Sequence, residues 1–217
     1  MFIPILGGGT VPVDVNFRAT AVSTSNLATY TFTSQALGPA SPSRRILVAA
    51  KYLTGGSAVA VNSVTVGGVT CTLPAGLSVS ATTAGIRMGI AKVPTGTTGN
   101  VVVTLAASVN NCGIGVWSLD NLLSPTPFDT SAVSANASTL PFMSLDTNAG
   151  GAAVYASIAT NNTRTFSWSN PTENYDAAIE GVTTHSGASM ATTGNSINET
   201  LTLSGAAVVY GVAASFR

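Results

Sequence analysis

Acidic side chains come closer to a catalytic arrangement than any other residues of this sequence. Eight carboxylates are distributed over 217 residues, and three of them, Glu173, Asp176 and Glu180, lie within one short stretch. Glycoside hydrolysis needs two carboxyl groups about 5 to 10 Å apart, so this stretch is a candidate acid–base site. Eight scattered acids also produce such a group by chance, and we therefore expect solvated surface carboxylates here.

The single histidine, His185, gives little support for nucleophilic catalysis. It is followed by Ser186, and neighbouring residues of a strand point to opposite faces, so the two cannot act as base and nucleophile for each other. The nucleophile-elbow, zinc-protease, P-loop and dinucleotide-binding motifs are all absent from the sequence. The sequence therefore predicts no catalytic residue and no enzyme activity.

The two cysteines, Cys71 and Cys112, are far apart and neither belongs to a CxxC motif. Neither a disulfide framework nor a zinc site is indicated, and two buried free thiols are expected, although a bridge between them stays open. The acidic residues also lack the dense ligand spacing of a calcium loop. The sequence predicts no metal and no cofactor.

Two aromatic residues, Trp168 and Tyr175, are candidates for a glycan-binding surface. Aromatic rings bury apolar area while they keep a polar handle, which suits them to stacking on sugars. The same residue types are often part of a core. A carbohydrate- or receptor-binding adhesion module is therefore the alternative function that this sequence suggests.

The composition describes the surface on which such residues would lie. Only 7% of the residues are charged and the formal net charge is zero, while 45% are hydrophobic. A neutral protein has no long-range field to attract nucleic acid or an anionic membrane, so both partners are excluded. A weakly charged surface resists association poorly and is typical of a subunit held against neighbours.

Apolar and β-branched residues alternate along the chain, and periodic helical patterns are absent. This indicates an all-β protein, a single jelly-roll-like antiparallel β-sandwich spanning residues 14–217. Its strands are expected near residues 15–22, 28–33, 45–52, 61–66, 69–73, 86–93, 100–106, 112–119, 140–145, 152–160, 164–169, 175–180, 185–191, 197–203 and 208–216. Its core is expected to contain Ile46, Val48, Val64, Val66, Ile90, Val102, Ile114, Val116, Val154 and Val209.

Three local patterns sharpen this fold prediction. Alternating residues flank Gly67-Gly68, which supplies the positive φ angles of a two-residue hairpin turn. Runs 46–50, 101–103 and 152–158 are apolar at nearly every position, as in strands covered on both faces, and a partner subunit can provide the cover of one face. The proline-rich segment 123–129 is predicted to cross between two halves or sheets.

Residues 1–13 are predicted to form an extended arm outside the sandwich. Pro4 and Pro12 remove backbone donors, and the glycines at 7–9 weaken regular structure. The segment has no basic flank and its apolar run is short, so it fits neither a signal peptide nor a membrane span. Its apolar residues are expected to dock on a neighbouring subunit, and these are Phe2, Ile3, Ile5 and Leu6.

Three segments resemble proteins of tailed bacteriophages and prophages. They are KVPTGTTGNVVVT at residues 92–104, GVWSLDNL at 115–122 and VVYGVAASFR at 208–217. The resemblance covers residues 44–217, and its motifs mostly spell strand, turn and strand. It implies a virion β-sandwich such as a head-decoration, fibre or tail component, with no catalytic residue.

Composition and resemblance together predict a non-enzymatic structural component of a tailed-bacteriophage virion. We expect it to be made in the host cytoplasm and to assemble with other virion proteins and with copies of itself, as a trimer or a higher ring. Capsid decoration, tail fibre and other tail parts all remain open.

Overall fold

Strands make up nearly all of the regular structure of this chain. The computed structural model describes residues 11–161 and 163–217, and no helix occurs within these ranges. Every strand pairing is antiparallel. The strands are β1 (Asp14–Ser23), β2 (Leu27–Ala36), β3 (Arg45–Leu53), β4 (Val61–Val66), β5 (Val69–Thr70), β6 (Ser78–Ser80), β7 (Ala84–Lys92), β8 (Thr98–Val109), β9 (Asn111–Asp120), β10 (Asp129–Leu145), β11 (Ala149–Thr160), β12 (Phe166–Trp168), β13 (Thr172–Glu180), β14 (Thr183–Thr193) and β15 (Ile197–Phe216).

These strands form three sheets that lie on top of one another. The middle sheet has the order β1-β9-β3-β7-β6, and the outer sheet has the order β2-β8-β4-β5. The third, which we call the C-terminal sheet, has the order β10-β15-β11-β14-β13, with β12 paired to β15. The predicted all-β, antiparallel, jelly-roll-like sandwich is confirmed, and its layers number three.

The middle sheet is buried on both faces, as its apolar runs predict. In β3, Ile46 and Val48 pack in the core shared with the outer sheet. Leu47 and Ala49 point the other way, into the core shared with the C-terminal sheet. Since successive side chains of a strand alternate between faces, a strand covered twice must be apolar at nearly every position.

The C-terminal sheet is also covered on its far face, by its own chain. The β10–β15 pair shifts register between Ala137 and Thr139, where the partner residue moves from Ala207 to Thr202. Beyond this shift, the last part of β10 pairs with the first part of β15, and these two segments together with β12 cover the far face of the sheet. Leu201 and Leu203 of β15 therefore share a core cluster with Tyr155 of β11. The run 152–158 is therefore covered on both faces too.

Nine of the ten residues predicted for the core are buried. The exception is Val102, which is half-buried. On β8, Val101 and Val103 point into the core between the outer and middle sheets, whereas Val102 lies on the outward face of the outer sheet. Within the described part of the chain no fourth layer covers the outer sheet, so run 101–103 is covered on one face only. Cover of the other face by a partner subunit stays a prediction.

The crossover predicted at residues 123–129 connects the two halves of the fold. It follows β9 of the middle sheet and precedes β10 of the C-terminal sheet. The N-terminal half thus builds the middle and outer sheets, and the C-terminal half builds the third. Both halves contribute to one core cluster, which includes Leu47 and Trp117 from the first half and Val154 and Val212 from the second.

The predicted two-residue hairpin turn joins β4 and β5. Val66 pairs with Val69, and Gly67 and Gly68 have φ angles of 56° and 83°. Both central residues thus have positive φ, as in a type I′ turn.

Replacing Gly67 and Gly68 with valine should lower the free energy of unfolding by about 1–2 kcal/mol per residue, because positive φ is unfavourable for a residue with a Cβ. A Cβ at Gly68 meets nothing within 4 Å, so the loss would come from the backbone alone. Asparagine tolerates this conformation and is the control at Gly67. Denaturant titration measures the effect, and equal stabilities of Gly67→Val and Gly67→Asn would contradict it.

The structure describes the predicted arm only from residue 11. Val13 is buried, and its backbone N–H donates to the carbonyl of Gly150 at 2.8 Å. The backbone carbonyl of Pro12 accepts a hydrogen bond from Asn121 at 3.3 Å. The docking residues predicted in the arm, Phe2, Ile3, Ile5 and Leu6, lie outside the described residues, and the arm stays a prediction.

Candidate functional site

Polar side chains meet inside the core between the middle and C-terminal sheets. Lys51 of β3, Tyr175 of β13 and His185 of β14 are all buried there. The Lys51 Nζ atom hydrogen-bonds the Tyr175 hydroxyl and lies 4.6 Å from the centre of the Tyr175 ring. The Tyr175 and His185 rings are 5.1 Å apart. We refer to these three residues as the interior polar cluster.

Burial changes the proton affinity of every member of this cluster. Desolvation lowers the pKa of Lys51 well below that of an ordinary lysine. It also lowers the pKa of His185, and the nearby Lys51 charge adds to that effect. The pKa of Tyr175 is raised by the same desolvation. All three shifts favour the neutral form, as expected where water cannot solvate a charge.

Glycines on the facing strands make room for these large side chains. A Cβ built on Gly187 would lie 2.5 Å from Cε1 of Tyr175 and 2.7 Å from Cζ2 of Trp117. A Cβ on Gly113 would lie 2.8 Å from Cε1 of His185. Contacts below 3 Å leave no space for a methyl group. The interior polar cluster therefore depends on glycine at these strand positions.

Other hydrogen bonds connect the two halves around the cluster. Trp117 Nε1 donates to Asn174 Oδ1 at 2.7 Å, and Asn111 Nδ2 donates to Glu180 Oε2 at 2.9 Å. The hydroxyls of Thr83 and Tyr210 are 2.6 Å apart. Polar contacts across a core need defined geometry, so they fix how one sheet lies on the other.

The interior polar cluster has none of the access that catalysis requires. Lys51 and His185 are completely buried. Both ring nitrogens of His185 lack a hydrogen-bond partner among the described residues, so nothing orients the imidazole as a base. Ser186 points to the opposite face, as predicted, and donates to the Tyr175 carbonyl at 2.9 Å. The arrangement is suited to packing and to fixing the relative position of the sheets.

The acidic stretch does not converge on one site. Glu173 and Glu180 are exposed, and Glu180 accepts the hydrogen bond from Asn111. Asp176 is half-buried and accepts a hydrogen bond from the backbone N–H of Phe166 at 3.0 Å. Partial desolvation raises the pKa of Glu173, and the neighbouring Asp176 charge contributes. Glu173 and Asp176 thus interact electrostatically, whereas Glu180 takes part in a separate hydrogen bond with Asn111.

Tyr175 does not provide the exposed stacking face expected of it. Its ring is 8% exposed and stacks on Phe17 at 5.2 Å, with Trp117 at 5.9 Å. The expectation of an exposed Tyr175 is wrong because the ring fills the space left by the glycines. Trp168 is half-buried, and its Nε1 donates to Ser186 Oγ at 2.9 Å. Glycan stacking on Trp168 stays a prediction.

Both cysteines are buried free thiols. Burial raises the pKa of Cys71 and that of Cys112 to about 12. Thiolates are the reactive form of cysteine, so these side chains are inert near neutral pH. Across residues 11–161 and 163–217, no three histidine, cysteine or acidic side chains are close enough to hold a metal ion. No helix of that part of the chain is long and apolar enough to cross a membrane.

The crossover between the halves borders two adjoining clefts on the surface. One, of about 380 Å³, lies between Pro74 and the crossover; the other, of about 360 Å³, extends from the crossover to Arg217. Phe128 lines both clefts and is 54% exposed, and Leu123 in the second is 67% exposed. We call the two clefts together the crossover groove.

Comparison with known proteins yields no family. No protein-family model and no curated protein matches the chain. Among solved structures, the turret protein A223 of Sulfolobus turreted icosahedral virus is 14% identical, with a TM-score of 0.22 over 93% of this chain and 98% of that one. The PBSX exported protein XepA is 11% identical, with a TM-score of 0.23 over 93% and 86%. A chain of red clover necrotic mosaic virus is 11% identical, with a TM-score of 0.26 over 93% and 88%. Similarity at this level assigns neither a fold family nor a function.

Several polar residues that hold the structure together were not predicted from the sequence. Arg44 is fully buried and donates to six backbone carbonyl groups, at 2.7 to 3.3 Å. Glu199 is fully buried and accepts from the backbone N–H groups of Ser169 and Asn170 at 2.6 and 3.0 Å. Lys51 had a detectable signal, because it is the one charged residue within the apolar run of β3 after Arg45.

Proposed function

We propose that this protein is a non-enzymatic structural subunit of a virus particle, and that it works by associating with copies of itself and with other virion proteins. The particle is that of a tailed bacteriophage, in which the subunit forms a capsid decoration, a fibre or another tail part. Support for the phage assignment comes from the sequence resemblance at residues 92–104, 115–122 and 208–217.

The observation that carries the proposal is the free edge of β10. This strand of 17 residues pairs with β15 on one side and ends the C-terminal sheet on the other, among the described strands. After Asp129, no residue of β10 is charged. Proteins that remain monomeric usually protect a long edge with charges, proline or short strands. The uncharged part of β10 before its first register shift, residues 130–137, has none of these protections.

A second edge has the same character. Strand β2 ends the outer sheet, and none of its 10 residues is charged. An open, uncharged edge presents unpaired backbone donors and acceptors to which another strand can add. Two such edges on opposite outer layers would allow one subunit to contact two neighbours, which supports assembly into trimers or higher rings.

The interior supports a structural role in a different way. The interior polar cluster is closed to substrates, and its polar groups fix the stacking of two sheets. Close packing of three layers gives a subunit that resists deformation, because protein interiors are as dense as organic crystals. Rigidity of this kind suits a component that remains in one assembly.

Lysines on the β10 edge test the proposal. Ala132 and Ser134 are exposed on β10, so Ala132→Lys with Ser134→Lys should leave the fold intact. Two positive charges per copy would repel at a strand–strand contact, and we expect self-association to weaken at least roughly tenfold. Mass photometry and analytical ultracentrifugation across a concentration series measure this directly.

The matched control places one lysine on a strand that is not at an edge. Thr202 is exposed but lies on β15 between β10 and β12, with which it pairs through Thr139 and Ser167. Thr202→Lys should associate like the wild type. A wild-type protein that stays monomeric at every concentration and does not bind isolated phage particles would refute the structural role. Association unchanged in the β10 variant would remove β10 as the contact.

A further inference from the structure

Six of the described strands end a sheet, and they differ in how well another strand could pair with them. Strands β5 and β6 have only two and three residues. Strand β1 carries Asp14 and Arg18, β13 carries three acidic residues, and both contain register shifts. Short length, charge and bulges all protect an edge against pairing. Only β2 and β10 remain as uncharged edges of useful length among the described strands.

Strand β2 is uncharged but irregular. Its pairing with β8 shifts register on both sides of residues 29–32, and Ser34 has a positive φ of 53°. Such bulges bend a strand and interrupt the ladder that a partner could form. Strand β10, by contrast, pairs with β15 in unbroken register over residues 129–137. Among the described edges, the one that matches β10 in length, regularity and lack of charge is therefore β10 of a second copy.

The side chains of this edge also suit a second copy of the same strand. Val133 and Ala135 are half-buried and pack against the core cluster that contains Tyr155. Ala132 and Ser134 alternate with them and are exposed. A strand added to this edge would extend the sheet and cover the open side of Val133 and Ala135. Because a slip of one residue reverses the two faces, only registers that pair inward residues with inward residues provide this cover.

We propose that β10 pairs antiparallel with β10 of a second copy, symmetrically about Ser134. In this register Val133 of one copy lies opposite Ala135 of the other, so inward residues meet across the contact. The paired residues, 131–137, are all uncharged. A centre one residue earlier would bring Asp129 into the ladder. This inference rests on the proposed structural role and names the partner of the β10 edge.

A two-fold contact of this kind limits its own growth. The same surface of both copies takes part, so one pairing closes both β10 edges and cannot continue into a fibre. Dihedral assemblies combine two-fold contacts with rings, and β2 stays available for neighbours within a ring. The contact involves fewer residues than the roughly 20–30 per side of a stable interface. We therefore expect it to be weak for free subunits and strong when several contacts act together on a particle.

Disulfide trapping tests the contact and its register together. In the proposed register, residue 134 of one copy lies opposite residue 134 of the other, with Cα atoms about 4.5 or 5.5 Å apart, which a disulfide can bridge. Ser134 is exposed, so Ser134→Cys should leave the fold intact. Under mild oxidation we expect a disulfide-linked dimer on non-reducing gel electrophoresis. The natural thiols, Cys71 and Cys112, are buried and should not react.

Two control variants place the thiol elsewhere on the same exposed face. Ala132 and Asn136 are both exposed, and in the proposed register each lies opposite the other. Two copies of Ala132→Cys, or of Asn136→Cys, hold their thiols four residues apart along the strands, about 13 Å, which is too far for a disulfide. Each alone should give at least roughly tenfold less dimer than Ser134→Cys.

An equimolar mixture of the two control variants should crosslink, because it brings position 132 of one copy opposite position 136 of the other. A size tag on one variant identifies the heterodimer. Circular dichroism and thermal melting of the reduced proteins establish that each variant is folded. Dimer formation by either control variant alone, at the level of Ser134→Cys, would overturn the register.

The outcomes separate this inference from the proposed function. Crosslinking of Ser134→Cys and of the mixture, with a wild type that associates, supports both. Association of the wild type without preferential crosslinking at position 134 refutes the two-fold contact and leaves the structural role standing. A wild type that stays monomeric and does not bind isolated phage particles, with no preferential crosslinking, refutes both.

Discussion

Arg44→Met is expected to lower the free energy of unfolding by about 4 kcal/mol, one of the largest losses that a single substitution can cause in this protein. The Arg44 side chain is fully buried and satisfies carbonyl groups of two loops at once. Its Nη1 donates hydrogen bonds to the backbone carbonyls of Gly38 and Pro39, both at 2.7 Å. Its Nη2 donates to the carbonyls of Thr95 and Gly96 at 2.8 and 2.7 Å.

The size of the loss follows from what methionine leaves behind. Hydrogen bonds to a charged group contribute roughly 1.5–3 kcal/mol each, and a buried carbonyl without a partner costs about 1–3 kcal/mol. Some of these carbonyls would form hydrogen bonds to water instead, because the loops lie near the surface. The total loss is therefore smaller than the sum of the individual contributions. Arg44→Lys should lie between wild type and methionine, since an ammonium group has three donors and no planar fork.

The neighbouring residue provides a matched control. Arg45 is half-buried at the start of β3, and Arg45→Met removes the same chemical group from the next position. We expect its effect to stay within about 0.5 kcal/mol, as for most surface substitutions. Guanidinium titration followed by tryptophan fluorescence measures all three variants. Arg44→Met and Arg45→Met of equal stability would contradict the role assigned to Arg44.

The strands that the sequence predicts well are those with a strong local pattern, either alternating as in β4 or continuously apolar as in β3. Run 61–66 matches β4 residue for residue, and β3 begins as expected and ends one residue later than expected. The Gly67-Gly68 turn is also predicted correctly, because its backbone requirement is local. Local pattern and local turn chemistry are sufficient wherever the final structure agrees with them.

The first half of β10 shows what a local pattern cannot reveal. Residues 129–139 are mainly alanine, serine, threonine and asparagine, so only 140–145 was expected to be a strand. The segment is extended because it pairs with residues 207–215 of β15, which are far apart from it in sequence. β15 was expected as two strands and is continuous across Ser204 and Gly205. Tertiary pairing thus overrides weak intrinsic preference.

The candidate site was predicted less well than the fold, for a related reason. A tyrosine is suited to stacking at a surface, which is why Tyr175 was a candidate. Its burial follows from the absence of a side chain at Gly187 on the neighbouring strand. Pairing places Tyr175 opposite Gly187 across β13 and β14. Similarly, Arg44 looks like an ordinary strand-flanking residue until the loops that it binds are positioned. Such roles depend on residues that are distant in sequence.

Lys51→Met combined with Tyr175→Phe is expected to make the protein more stable than wild type, by about 2 kcal/mol near neutral pH. Replacing a buried ion pair with apolar residues of similar volume often stabilises proteins by about 1–4 kcal/mol, because the desolvation cost disappears. Burial of Lys51 carries a related cost, since the side chain must lose its proton as the protein folds. Tyr175→Phe alone should destabilise by about 1–3 kcal/mol, since it leaves the buried Lys51 amine without its hydroxyl partner.

The pH dependence of this gain identifies Lys51 as its source. Because burial lowers the pKa of Lys51, the unfolded chain binds its proton more tightly than the folded protein does. Wild-type stability therefore contains a term that increases with pH between the lowered pKa and the ordinary lysine value of about 10.4, by up to about 1.4 kcal/mol per pH unit. The double variant lacks this term, so its advantage should shrink from about pH 7 to about pH 9.

Other groups titrate in the same range but cancel in the comparison. The thiols of Cys71 and Cys112 have a pKa of about 12 when folded, so both proteins lose stability alike as the unfolded thiols ionise above about pH 8.5. Urea titrations of wild type and double variant at matched pH give the difference directly. A difference that does not change with pH would show that Lys51 titrates normally and that the interior polar cluster is open to water. A difference that falls with pH would establish that the two sheets enclose a lysine whose charge opposes folding.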